Sequence, residues 1–106
     1  MARHARYQAN PDQKRRWNLT KLYGITLEEY EALLSAQGGV CALNPEHTSP
    51  GGRLKHWHVD HDHKTGRVRG LLCRQCNLSI GGLGDNEEGL LRALEYVSGG
   101  PFWPPK

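Results

Sequence analysis

Apolar positions recur along the chain with two different periods. TLEEYEALLSAQGG sets Leu27, Tyr30, Leu33 and Leu34 on one face at α-helical spacing. Thr26 and Glu29 stand at the capping-box spacing that starts such a helix, and Gly38-Gly39 stop it. Ahead of it, PDQKRRWNLTKL predicts a short basic helix over about 11–22, with Pro11 in its first turn and Trp17 as its anchor on the core. Tyr23-Gly24 breaks that helix. VCALNPEHTSPGG, 40–52, is a loop rich in turn formers, in which Asn44-Pro45 imposes an extended or turn geometry. LKHWHVDH then reads as a strand, Lys64-Thr65-Gly66 as a turn, and RVRGLL as the returning strand of a hairpin. CRQCNLSIGG reads as a knuckle that opens a short helix. DNEEGLLRALEYVSGG is the last helix, capped near Asp85 or Asn86 and ended by Gly99-Gly100, ahead of a proline-rich tail over 100–106. These elements predict a small α+β fold, one domain over 1–106, in which N- and C-terminal helices flank a hairpin-plus-helix core.

Composition adds a requirement. The chain has 106 residues, of which 37% are hydrophobic, so its core is modest and a further staple is expected. Three cysteines is an odd number, MARHARYQAN carries no signal-peptide pattern, and no apolar run approaches a membrane span. A secreted disulfide scaffold and a membrane protein are therefore not expected. The thiols should remain reduced, in the cytoplasm. The net charge is only +3, but the cations are unevenly placed. Arg3, Arg6, Lys14, Arg15 and Arg16 gather near the start, and Arg53, Lys55, Lys64, Arg67, Arg69 and Arg74 gather around the hairpin. That distribution favours a polyanion as partner over a merely solvated face.

The cysteines suggest what the staple is. Cys73 and Cys76 form a CxxC pair, with Cys41 roughly thirty residues upstream, a spacing at which reduced thiols hold structural Zn2+. A tetrahedral ion needs a fourth donor. His47 lies in the same loop as Cys41, Asn44 is a poor match because its amide oxygen is hard, and a water or His56 stays open as the alternative.

WHVDHDH needs a different account, because a closed zinc site leaves no position for a substrate. Asp60 offers hard oxygens suited to Mg2+ or Mn2+, Asn77 follows Cys76 and can add a neutral oxygen, and His61 is then free to act as a base. In a regular strand Asp60 and His61 point to opposite faces, so both serve one site only if the strand ends, twists or bulges there. His58 and His63 are open between orienting neighbours and touching phosphate. Arg67 and Arg69 share a face of the returning strand and can hold phosphate oxygens, with Gly70 permitting a close backbone approach. Lys64, His63, Arg74, Arg15 and Arg16 complete the expected contacts to a polyanion. A zinc hydrolase built on His58, His61 and His63 is disfavoured, because the helical HExxH spacing is absent. A non-catalytic zinc adaptor for DNA or protein explains the cysteines but gives no reason for Asp60, His61 and Asn77.

From about Asn18 to Val97 the motifs YGIT, EEYEALL, QGGVC, HVDHDHKTGRVRGLLC and CRQCN, in that order, resemble the phage recombination endonuclease VII family, a branch of the H-N-H or ββα-metal nucleases. The resemblance implies a ββα-metal (His-Me finger) core with a structural zinc knuckle. It implies an endonuclease that cleaves DNA phosphodiesters to leave 5′-phosphate ends, with little sequence specificity, in phage recombination, processing or packaging. It also implies that Asp60 and Asn77 hold the catalytic cation, that His61 activates water, and that Cys41, Cys73 and Cys76 are zinc ligands. DNA is the implied partner, alongside other phage DNA-processing proteins in a bacterial host cell, with monomer and weak homodimer both open. The chain departs from the family in having Cys41-Ala42-Leu43-Asn44 where a first CxxC is usual, and in ending soon after the last helix. Dimeric resolution of branched DNA is therefore not carried over.

Overall fold

A computed structural model describes residues 11–53 and 55–100. Arg3, Arg6 and the proline-rich tail after Gly100 lie outside them. The described residues form four helices and one two-stranded antiparallel sheet: α1 (Pro11–Tyr23), α2 (Leu27–Ala36), β1 (His58–His61), β2 (Val68–Leu72), α3 (Arg74–Gly82) and α4 (Glu87–Gly99). This is the small α+β architecture the sequence predicts.

Local chemistry accounts for most boundaries. Thr26 caps α2 by accepting from Glu29 N at 3.0 Å, while the Glu29 carboxylate accepts from Thr26 N at 2.8 Å. Gly38 and Gly39, both at left-handed φ, take the chain out of α2. Asn86 caps α4, and left-handed Gly100 ends it. One expectation fails in α1. Leu19 is buried at 3% exposure, whereas Trp17 is 59% exposed with Lys21 Nζ over its ring. The helix meets the core through Leu19 and, one turn on, Tyr23, and two residues back from Leu19 a helix faces the opposite way.

The strands are also shorter than predicted, since Lys55–Trp57 are irregular and β1 begins at His58. Trp57 is held there by its N–H, which donates to the buried Tyr30 hydroxyl at 3.1 Å. β1 pairs with β2 from His58 opposite Leu72 to Asp60 opposite Gly70, and then the register slips so that His61 stands opposite Val68. Arg69 is the residue left over, a β-bulge. The far edge of β2 is covered by Gln37, whose amide accepts from Leu71 N at 2.8 Å and donates to Leu71 O at 3.0 Å. Ala42 N donates to the same carbonyl. Buried edge groups of β2 thus find partners without a third strand. Close approach at Gly70 is to the protein itself, because a Cβ there would meet Ala42 Cβ and Gln37 Oε1 at 3.3 Å.

The core gathers Leu19, Leu27, Tyr30, Trp57, Val59, Leu71 and Leu72 around three cysteines, so among the described residues a large share of the interior is sulfur. No helix of the described residues is long and apolar enough to cross a membrane.

Candidate metal centre and cleft

The loop before β1 and the start of α3 bring Cys41, His47, Cys73 and Cys76 together, with all four donor atoms within 4.8 Å of one another. Asn44 O accepts from His47 N at 2.9 Å and closes a turn around Pro45, and His47 O accepts from Cys41 N at 3.0 Å. That turn aims the imidazole inward. His47 Nδ1 stands 3.3 Å from Cys73 Sγ and 3.4 Å from Cys76 Sγ. Donors at zinc bond lengths of about 2.0 to 2.3 Å, arranged tetrahedrally, are roughly 3.5 Å apart, so the set fits one Zn2+. Asn44 is no ligand here. Its side chain lies 3.4 Å from His47 Nε2 and its Oδ1 accepts from Glu46 N, which makes it a prop for the imidazole. His56 is not part of the group.

Electrostatics of the thiols also suit a cation. Burial pushes Cys76 up to about 12, and the Cys73 and Cys41 sulfurs beside it add to the shift. Burial acts to raise Cys41 too, but N–H groups of Cys73, Asn44 and Leu43 directed at its sulfur outweigh it and leave that pKa lowered. Cys73 is the N-cap of α3, and its sulfur accepts from Cys76 N. Three crowded sulfurs of this kind are stabilised as thiolates by a bound metal.

A second feature lies between β1 and α3. An open cleft of about 510 Å³ is lined by Tyr23, His58, Asp60, His61, His63, Asn77, Gly81, Gly82 and Asp85, among others. The end of β1 at His61 and the slip in the ladder allow Asp60 and His61 to line the same cleft. Asn77 directly follows Cys76, and Cys73 caps the start of α3, so the Cys-His cluster and Asn77 sit on the same helix start beside the hairpin. A carboxylate and an amide oxygen are hard donors that suit Mg2+ or Mn2+. The His61 ring lies 6.3 Å from the Tyr23 ring and 5.0 Å from the His63 ring, centre to centre.

Arg69 pairs with two of the lining residues. Its Nε donates to Asp60 Oδ2 at 2.8 Å and its Nη2 to Asp60 Oδ1 at 3.0 Å, so both oxygens of Asp60 already face a positive charge. Nη2 also donates to Asp85 Oδ1 at 2.6 Å. These two carboxylates, Asp60 first, raise the pKa of Arg69 further. In the sequence Asp85 offers only a possible helix cap; nothing in DNEEGLL marks it as part of the cleft.

The other expected DNA contacts divide into two groups. Arg15 lies 4.5 Å from the centre of the Tyr30 ring, and Arg16 pairs with Asp12 at 3.1 Å and Glu28 at 2.7 Å, so both tie α1 to itself or to α2. Lys64, Arg67 and Arg74 are exposed and form no ion pair among the described residues. Lys64 and Arg67 flank the hairpin turn, whose shape is set by Asp62 Oδ1 accepting from Lys64 N at 2.7 Å and Thr65 N at 3.3 Å.

Comparison with known proteins gives the family of the chain. The family profile described as recombination endonuclease VII matches residues 14–99. The chain is 50% identical over 76 residues to the Gene 59 protein of Mycobacterium phage D29, covering 71% of this chain and 44% of that protein. It is 45% identical over 80 residues to the Gene 59 protein of Mycobacterium phage L5, covering 74% of this chain and 47% of that one. The chain thus spans less than half the length of these curated relatives. No solved structure matches it.

Proposed function

Because the chain belongs to the recombination endonuclease VII family, we propose that it is a metal-dependent H-N-H endonuclease that hydrolyses DNA phosphodiesters and leaves 5′-phosphate ends. The observation that supports this most is that Asn77, distant in sequence from the adjacent pair Asp60 and His61, lines the same cleft as they do, beside a Cys3His group suited to zinc. In this reading β1, β2 and α3 are the ββα-metal core and the 106 residues act as one nuclease domain.

His61 takes a proton from a water molecule, and the hydroxide so formed attacks phosphorus in line with the leaving 3′ oxygen. Asp60 and Asn77 would hold a divalent cation, which when bound would supply positive charge to offset the negative charge growing on that oxygen. Lys64 and Arg67 at the hairpin turn and Arg74 at the start of α3 hold phosphates of the strand, with His63 at the cleft edge. Arg69, paired with Asp60 and Asp85, is the remaining phosphate contact. Phosphate contacts fix position without reading bases, so sequence preference is weak. The work is done in the cytoplasm of the phage host, in recombination, processing or packaging of DNA.

Cleavage of linear, branched and supercoiled DNA with added Mg2+ or Mn2+ tests the reading. Nicking of at least one substrate that chelation stops is the expected result. DNA binding without any cleavage, across the panel and both ions, would replace it by a zinc-containing adaptor.

A further inference from the structure

Asp85 occupies the turn between α3 and α4, and no role in the reaction has been given to it. Its backbone is left-handed, with φ at +54°, a conformation aspartate tolerates better than most residues but still adopts sparingly. Two features hold it there. Asp85 N donates to Ile80 O at 2.9 Å, and the first turn of α4 lies so close to the end of α3 that a Cβ at Gly89 would overlap the Leu83 carbonyl. The corner between two helices therefore fixes the backbone from which the carboxylate extends.

What it meets is the cleft. Asp85 Oδ1 accepts from Arg69 Nη2 at 2.6 Å, and Oδ2 accepts from His63 Nε2 at 2.8 Å, with the carboxylate only 13% exposed. Arg69 at the same time covers both oxygens of Asp60. One guanidinium is thus shared by two carboxylates, one of which is the candidate ligand for a cation. A cation that approaches Asp60 competes with Arg69 for the same two oxygens, and a like charge that stays in place opposes it. Asp85 offers Arg69 a second anchor within reach of its existing hydrogen bond.

We propose that Asp85 is a positioning residue that draws Arg69 off Asp60 when a divalent cation binds, and keeps the guanidinium at the cleft edge where a phosphate oxygen arrives. This rests on the endonuclease reading for its cation and its phosphate.

The test is a titration of the zinc-loaded full chain with Mn2+, without DNA, followed by calorimetry or by the electron spin resonance of the free ion. Four proteins are compared: the parent, Asp85→Asn, Arg69→Gln and the double variant. Asparagine tolerates the left-handed turn and removes only the charge, and unchanged melting and zinc content verify that. Asp85→Asn is expected to weaken Mn2+ binding by about tenfold, because Arg69 then rests on Asp60 alone, and Arg69→Gln to strengthen it; in the Arg69→Gln background the Asp85→Asn change is expected to do less than about twofold. Equal weakening in both backgrounds would mean that Asp85 acts on the cation directly and would overturn the proposal. So would an Asp85→Asn affinity equal to the parent's, or no Mn2+ binding in any of the four. Mg2+-dependent cleavage measured in parallel separates the two claims: an inactive parent removes the endonuclease reading while the titration still stands, and an uncoupled titration removes the role of Asp85 while cleavage stands.

Discussion

Replacing His47 by alanine removes one of four donors from a group whose atoms lie within 4.8 Å of one another. Structural zinc contributes an apparent ~10–16 kcal/mol in small domains, so one donor in four accounts for about 3 to 4 kcal/mol, and zinc affinity should fall by about 10² to 10³. A water molecule filling the fourth position recovers part of this and puts the loss at the lower end. Stability should follow, because three of the core positions are the cysteines themselves and few other side chains are fully enclosed. At about 4 to 8 °C per kcal/mol for a domain of this size, even the lower figure corresponds to a melting temperature lower by ~10 °C or more. Competition with a graded chelator gives the affinity, and circular dichroism gives the melting temperature. Asn44→Ala is the control that separates ligand from prop. Its side chain touches His47 Nε2, at 3.4 Å, and accepts from Glu46 N, so a loss of about tenfold in zinc affinity is expected, in the range of outer partners of metal-bound histidines. A His47→Ala chain that holds one zinc against chelator as firmly as the parent, with the parent melting temperature, would refute the assignment.

Three further outcomes follow from other parts of the molecule. Arg67→Ala should lower the slope of log affinity for DNA against log salt by about one contact, while Arg16→Ala, whose guanidinium is committed to Asp12 and Glu28, should leave it nearly unchanged; equal effects in filter binding would contradict that division. Gly89→Ala should destabilise the corner between α3 and α4 by about 1 to 3 kcal/mol or more through overlap with the Leu83 carbonyl, read as faster hydrogen exchange in α4; parent-like exchange would show that the helices are not packed so closely. Asp60→Ala should abolish cleavage at low Mg2+ while zinc content and melting stay at parent values, and full activity there would remove Asp60 from the cation site.

How far these residues could be read from the chain depends on the range of the interaction. The capping box of Thr26 and Glu29, the glycine stop of α2, the Asn86 cap and the CxxC knuckle are local, involving residues within a few positions of each other, and all were legible. The need for a break at Asp60 and His61 was legible too, from the alternation of a strand, although not that Arg69 would be the extra residue. Contacts between distant segments were hidden. Gln37 acts as a substitute strand for Leu71, yet it stands in a helix-ending QGG with nothing to mark it. Asp85 is reached by Arg69 only because α3 turns back beside the hairpin, and Arg69 itself reads in sequence as one more phosphate contact. The size of Trp17 suggests an anchor, but the face of α1 that meets the core is defined by Leu19.

The central claim is that His61 activates water in a cleft it shares with Asp60 and Asn77. Single-turnover cleavage of a DNA substrate that the parent cuts, measured for His61→Ala at saturating Mg2+, addresses it most directly. General-base catalysis contributes on the order of 10² to 10⁴ in rate, so the variant should cut slower by about that factor, with DNA affinity and zinc content at parent values. Nicks made by the parent should be closed by DNA ligase without prior phosphorylation, as 5′-phosphate ends require. Cleavage by His61→Ala at the parent rate, or parent nicks that ligase cannot close, would contradict the account.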